Sequence, residues 1–519
     1  MGQFSTFVFD AIQILVFLFV FIAGLIVASI VIFYFIDRFQ TQSTLRRNYP
    51  VIARFRYLFE HMGEFFRQYF FALDREEMPF NRAERSWVYR AAKNVDTMVA
   101  FGSTRVLTHP GTVFFVSCPF PTLEDDQVEA ATMTIGPNCK HPYTTKSIFN
   151  ISGMSYGALS IPAVRALSKG AKMAGIWMNT GEGGLSPYHL EGGADLVFQI
   201  GTAKFGVRKK EGGFDPEKLI EVAAHYQVKM FEIKLSQGAK PGKGGILPGA
   251  KVNEEIALIR GIAIGQDAIS PNRHPEINSV DDLLDMINFV RETTGKPVGF
   301  KTVVGALSFF DDLFQAIHRR GTESAPDFIT IDSADGGTGA APMSLIDHMG
   351  LPIKESLPIV VDKLIEYQLR DRIKVCASGK LITPSEVTWA FCAGADFVNS
   401  ARGFMFALGC IQSLQCNKNT CPTGITTHDK KLQYGLNPED KAVRVMQYAN
   451  NMLKEINALA HACGVSRPRD LNRNHARIVQ ANGKSASMVD LYPEPTTKLI
   501  NTNAIKRSKV GPDKKLSHL

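Results

Sequence analysis

The chain has 519 residues, 45% of them hydrophobic and 21% charged, enough apolar material for two or three cored domains and too much for a disordered chain. The formal net charge of +8 is modest for this length. Its basic excess gathers at the ends, in Arg38, Arg46, Arg47, Arg54 and Arg56 and in Lys506, Arg507, Lys509, Lys514 and Lys515. No recognition motif accompanies either group, so nucleic acid is not an expected partner.

Residues 11–36 form an apolar run broken only by Gln13 and a few small residues. A hydrocarbon core of about 30 Å needs about 20 helical residues, so the run is long enough to span. No Lys or Arg precedes it, whereas five Arg follow within about twenty residues. The positive-inside rule then predicts a single-pass membrane anchor over residues 1–44, with the C-terminal body in the cytoplasm. A cleaved signal would have a basic start, a shorter core and a small-residue cleavage site, and these are missing.

Residues 45–145 mix aromatic and basic side chains with short strand-like runs such as Thr112–Ser117, and read as an adaptor. Apolar stretches around Phe65–Leu73 suit a membrane surface or an ordinary amphipathic helix. From about Lys146 short apolar runs recur, each followed by a glycine-rich turn and a helical pattern. The expected strands are Ile148–Ser152, Ile176–Asn179, Leu196–Ile200, Met230–Leu235, Val298–Val304, Phe328–Asp332, Lys374–Ala377 and Phe397–Ser400. Helical patterns separate most of them, among them Pro216–Tyr226, Val280–Thr294, Phe309–Arg319 and Pro384–Ala393. Eight such units over residues 146–429 predict an α/β protein with a (β/α)8 TIM barrel, an open doubly wound sheet being the alternative. Residues 430–519 read as a helical extension with a basic tail.

Glycines and polar residues cluster just after the strands, as in Gly181-Glu182-Gly183-Gly184 and Asp335-Gly336-Gly337-Thr338-Gly339. All strand C-termini of a barrel open on one face, so these loops converge on one site. Gly379, Lys380, Ala401 and Arg402 follow the last two strands, where barrels usually hold phosphate, and glycine turns offer backbone N–H groups to such a dianion. Lys234 and Lys301 stand at strand ends, where a buried cation needs a partner; a solvated rim position is the plainer alternative.

A cytoplasmic body argues against disulfides among the eight cysteines. Three of them, Cys410, Cys416 and Cys421, lie within twelve residues and precede Pro422. Thiolates are soft ligands suited to iron–sulfur clusters, and three complete a [3Fe–4S] cluster. A [4Fe–4S] cluster using Cys463 is the alternative.

The segment from Gly409-Cys410-Ile411 to Cys421-Pro422-Thr423-Gly424 resembles the cluster loop of the glutamate synthase large-subunit family. So, in the same order, do Gly153-Met154-Ser155-Tyr156-Gly157, Gln237-Gly238-Ala239-Lys240-Pro241-Gly242 and Asp335-Gly336-Gly337-Thr338-Gly339-Ala340. The resemblance covers residues 146–429, about half the chain. It implies an oxidoreductase with FMN and a [3Fe–4S] cluster that aminates 2-oxoglutarate through 2-iminoglutarate to glutamate. Gly153, Met154, Ser155, Gly336, Gly337 and the phosphate-end residues would touch the flavin, with Lys301 beside its ring. Lys234, Gln237 and Lys240 would hold the keto acid, and Glu182 would position the amine or cap a turn.

Full-length members begin with a glutaminase domain and its N-terminal cysteine, whereas this chain starts with an apolar helix. The expectation is therefore ammonia or another, partner-supplied amine as nitrogen source, with an N-methylglutamate-forming enzyme and a redox relay without amination as alternatives. No GxGxxG motif in a strand–turn–helix setting is found, so electrons are expected from a ferredoxin-like or flavoprotein partner.

Overall fold

The computed structural model describes residues 2–497 except 127, 129 and 210, with side chains from residue 7. The basic residues 506–515 lie outside the described residues. Two compact units emerge, Met1–Ala83 and Glu84–Leu519.

In the first unit, helix α1 (Gly2–Phe39) contains Phe7–Phe39, a stretch long and apolar enough to cross a membrane and largely exposed, with Asp37 buried near its end. Helix α2 (Ile52–Phe66) follows and runs into a π-helical turn, Arg67–Phe71. An ion pair fixes the bend between α1 and α2. Arg54 donates from Nε and Nη2 to the two oxygens of buried Asp37, at 2.8 and 2.7 Å, and the Val51 amide adds a third bond at 3.1 Å.

In the second unit eight parallel strands close a barrel in chain order. They are β1 (Phe149–Ile151), β2 (Met178–Asn179), β3 (Leu196–Ile200), β4 (Val228–Lys234), β5 (Val298–Val303), β6 (Phe328–Asp332), β7 (Lys374–Ser378) and β8 (Phe397–Ser400). Val398 of β8 pairs with Phe149 of β1, so no edge is left open. The open-sheet alternative falls, and the observed strands lie within two residues of the expected ones. Buried parallel strands are near-continuous apolar runs, which is why they are legible. Two outer helices, α3 (Ile161–Ala174) and α4 (Pro438–Ala462), pack together across the chain, each opened by a side-chain cap (Ser160, Asn437) followed by proline.

One end of the barrel is plugged. The hairpin Met133–Ile135 with Tyr143–Thr145 sends Ile135 and Tyr143 against Trp177, Val197, Met230, Phe328, Cys376 and Phe397, near the strand starts. The chain after residue 430 is not only helical. Ala476–Val479 and Ser485–Ser487 form a sheet with Val113–Phe115, the strand glimpsed at Thr112–Ser117. Pairing partners more than three hundred residues apart leave no local pattern. The opposite end of the barrel, where the strands finish, carries the charged groups.

Candidate active site at the barrel mouth

Side chains two apart on a strand share a face, so Glu232 and Lys234 of β4 both point inward. Glu232 is fully buried and accepts three hydrogen bonds, from Asn179 Nδ2 (2.8 Å), Gln199 Nε2 (2.7 Å) and Thr330 Oγ1 (2.6 Å). Three donors from β2, β3 and β6 satisfy a carboxylate that would otherwise be very costly to bury.

Nearer the strand ends Lys234 Nζ lies 3.0 Å from Glu182 Oε1 and also donates to Gln237 Oε1. Lys301 of β5 pairs with Asp332 of β6 at 3.2 Å. Lys240, on the loop after β4, donates to the Ala340 carbonyl at 3.3 Å, and Arg260 stands near Glu182. Lys234, Lys240, Lys301 and Arg260 are all buried. Four cations thus face three carboxylates (Glu182, Glu232, Asp332), a surplus of one positive charge in a low-dielectric place.

Burial pushes the Glu182 carboxyl up, but Lys234, Lys240 and Arg260 outweigh it and hold it below the usual range. Burial, reinforced by Lys234, brings Lys240 down to about 8. Lys301 goes the other way: burial opposes its charge, yet Asp332 and Glu232 raise it. Glycine makes this crowding possible. A Cβ on Gly245 would collide with Glu182 Oε1, and one on Gly238 with the Ser333 carbonyl and Gly336 Cα.

The first loop, Gly153–Gly157, is pinned through three carbonyls. His189 Nε2 bonds Met154 O (2.9 Å), Arg260 Nη2 bonds Tyr156 O (3.1 Å) and His428 Nε2 bonds Gly157 O (2.8 Å). A carbonyl only accepts, so His189 carries its proton on Nε2 and leaves Nδ1 to accept from the Ser186 amide (3.2 Å). Burial lowers this histidine to about 4, in keeping with a neutral ring.

At the turns after β6, β7 and β8, Lys380 Nζ pairs with Asp335 Oδ2 at 3.0 Å and Arg402 Nη2 donates to Asp335 O at 3.1 Å. Gly379 and Lys380 both have positive φ (111° and 53°), a conformation the side chain of Lys380 adopts only at a cost. Ala401 is the N-cap of the helix Arg402–Leu408, which places Arg402 across Gly337.

The loop with Cys410, Cys416 and Cys421 winds through left-handed conformations at Gln412, Leu414 and Asn419. Its thiols fall within one another's electrostatic reach, and Lys251 lies beside two of them. That lysine donates to Cys416 O (2.7 Å) and Thr426 O (2.5 Å), so the long loop after β4 runs from Lys240 to the cysteines. Among the described residues no group of three His, Cys, Asp or Glu is arranged to hold a metal ion. A polynuclear cluster spreads its thiolates over separate irons, and the all-sulfur donor set on one strained loop beside a buried cation fits that case.

Residues 117–466 match the family model described as the conserved region in glutamate synthase. The "Glutamate synthase large subunit-like protein YerD" of Bacillus subtilis (strain 168) is 40% identical, over 92% of this chain and 98% of its own length. The chain belongs to the glutamate synthase family. The "Archaeal glutamate synthase [NADPH]" of Methanocaldococcus jannaschii is 37% identical over 66% of this chain and 64% of its own length. The "Glutamate synthase [NADPH] large chain" of Bacillus subtilis is 33% identical over 55% of this chain, but only 18% of that relative is covered.

Within this glutamate synthase-type barrel, Glu182, Lys234, Gln237 and Lys240 come together as one polar cluster. Lys301 joins it through Asp332 and Glu232, while Lys380, Ala401 and Arg402 form a second group around Asp335. Gly336 is packed against Gly238, which gives that glycine a reason independent of any cofactor. Cys463 has Cys118 and Cys392 as electrostatic neighbours. Glu232, Asp332, Arg260, His189 and Lys251 were not singled out in the sequence. Only Glu232 left a signal there, a charged residue inside an apolar strand.

Proposed function

We propose that this chain is an oxidoreductase that reductively aminates 2-oxoglutarate to glutamate, with FMN at the barrel mouth and a [3Fe–4S] cluster on Cys410, Cys416 and Cys421. The observation that carries this reading is the buried, cation-rich cluster of Glu182, Lys234, Gln237, Lys240 and Arg260. A dicarboxylic keto acid supplies the two negative charges that such a cluster favours. Lys240, Gln237 and Arg260 would hold its carboxylates. Glu182, kept ionised by the cations around it, would hold the ammonium by charge; once a proton passes to solvent, the ammonia condenses with the keto carbonyl to 2-iminoglutarate and water leaves.

Lys380 and Arg402 are the residues to hold the flavin phosphate: Lys380 pairs with the Asp335 carboxylate and Arg402 donates to the Asp335 carbonyl, so both cations stand at one turn. Gly153, Met154 and Ser155 lie on the pinned loop and would meet the ring, with Lys301 offering positive charge to it. When bound, FMN supplies hydride to the α-carbon and the cluster supplies the single electrons that renew it. The apolar stretch of α1 supports a membrane anchor, residues 1–44, with the body in the cytoplasm, an adaptor at 45–145 and the barrel at 146–429. Electrons would come from a ferredoxin-like or flavoprotein partner.

The test is flavin analysis and electron paramagnetic resonance on the detergent-solubilised full chain, then turnover with a reduced donor and 2-oxoglutarate. Bound FMN, a [3Fe–4S] signal and glutamate formed from ammonia are the expected result. FAD or zinc would overturn the cofactor assignment. Product only with methylamine would make it an N-methylglutamate-forming enzyme, and a reduced flavin that no keto acid reoxidises would make it a redox relay.

A further inference from the structure

Helix α2 and the turn after it carry an apolar stripe that their own unit leaves mostly exposed, with Met62 and Phe66 half-buried. Phe55, Leu58, Phe59, Met62, Phe66, Tyr69 and Phe70 follow the i, i+3, i+4 spacing of one helical face. Arg56, Glu60, Glu64 and Arg67 take the other. Among the stripe's residues Phe59 is 65% exposed and Phe70 68%, and the neighbouring Phe71 and Leu73 are 73% and 67% exposed. Exposure of so many large aromatic groups on one face is not ordinary surface scatter.

Two further observations select the partner. Phe55 and Leu58 also line a groove of about 530 Å³ with Ile22, Leu25, Ile26 and Phe33 of α1, so the stripe is continuous with the apolar stretch of α1. From Asp37 to Leu73 there are six Arg (38, 46, 47, 54, 56, 67) against three carboxylates (Asp37, Glu60, Glu64), a balance of 6 − 3 = +3. A surface that is aromatic on one face, basic overall and continuous with a span-length helix matches a bilayer with anionic headgroups. The Asp37–Arg54 pair, with the Arg54 guanidinium 4.2 Å from the Phe33 ring centroid, sets the angle at which α2 leaves α1.

We propose that α2 and Arg67–Phe71 form an interfacial helix, its Phe55–Phe70 face sunk among the phospholipids of the leaflet into which α1 ends. This rests on the reading of α1 as a membrane span. Lipid chains then fill the groove between the two helices, and the second unit is tethered to the membrane at two places.

Full-length protein with single added cysteines, in vesicles of phosphatidylethanolamine and phosphatidylglycerol, tests it with a membrane-impermeant maleimide read by peptide mass. Phe59→Cys and Phe70→Cys should react at least tenfold more slowly than Glu64→Cys, and Ser29→Cys in α1 should be protected as well. Reaction of F59C and F70C at the rate of E64C, with S29C still protected, overturns the interfacial helix and leaves the span intact. Reaction of S29C overturns the span itself. A Phe59→Trp variant separates lipid from protein cover. Its added fluorescence should be quenched by brominated phospholipid, and protection without quenching also overturns the proposal.

Discussion

The two ends of the barrel are built from the same eight strands and could hardly differ more. At the plugged end Trp177 immediately precedes β2 and Phe328 and Phe397 begin β6 and β8, strands whose later residues are Asn179, Asp332 and Asn399. A few residues along each strand separate a dry aromatic layer from a set of buried polar and charged groups. Burial of apolar area stabilises the first without any geometric condition beyond packing. The second costs desolvation free energy at every member and persists only because each carboxylate has several donors or a cation. The plugged end is therefore where the fold is held, and the mouth is where stability is given up for chemistry.

That division can be broken most forcefully at Trp177. It touches Tyr143 and Phe397 by ring contacts, with centroids 6.2 and 4.9 Å apart. Trp177→Ala should lose about 3–5 kcal/mol of unfolding free energy, read from a denaturant midpoint. Turnover per folded molecule should not change. A variant that stays stable but loses turnover would show that the two ends are not separable.

The converse change is Lys234→Met. Lys234 holds Glu182 and Gln237 in place, and a misplacement of about 1 Å costs about 10²-fold, so kcat/KM for 2-oxoglutarate should fall by about that much. Stability should fall too, but by less than the roughly 3–5 kcal/mol of a buried charge left alone, because Glu182 keeps Lys240 and Arg260 as neighbours. An intact kcat/KM would remove Lys234 from the reaction.

His189 sits between these extremes. His189→Ala leaves the Met154 carbonyl and the Ser186 amide without their partner, a loss of about 1–3 kcal/mol. Because the ring positions the Gly153–Gly157 loop, the flavin-to-protein ratio should fall alongside the denaturant midpoint. A lower midpoint with full flavin content would confine His189 to structure.

The sequence shows the barrel plainly because parallel strands are short apolar runs with glycine turns after them. It also shows the strand-end lysines, since a cation at the end of an apolar run is conspicuous. What it hides is pairing. Asp332 is recognisable as the partner of Lys301 only when β5 and β6 lie side by side, and Arg260 only when its helix folds back toward Glu182. His189 looks like any polar residue of a short helix until its ring is seen between Ser186 and Met154. The sheet joining Val113–Phe115 to Ala476–Val479 is hidden for the same reason: its information lies in contact, not in local periodicity.

The subtlest test of the mouth is pH. Burial and the neighbouring Lys234 bring Lys240 to about 8 from an ordinary lysine value of 10.5. Below pH 8 its ammonium is available to a carboxylate; above it the charge is lost, and KM for 2-oxoglutarate should rise about tenfold per pH unit, or about 1.4 kcal/mol. A bound dicarboxylate favours the charged form, so kcat at saturation should stay flat to higher pH than KM does. Stability takes the opposite sign. Between pH 8 and 10.5 the unfolded chain holds a proton on Lys240 that the folded chain has released, so this residue's contribution to folding improves as pH rises through that window. Lys240→Met should therefore stabilise the protein more at pH 7 than at pH 10, and a KM that stays level across that range would place Lys240 away from the substrate.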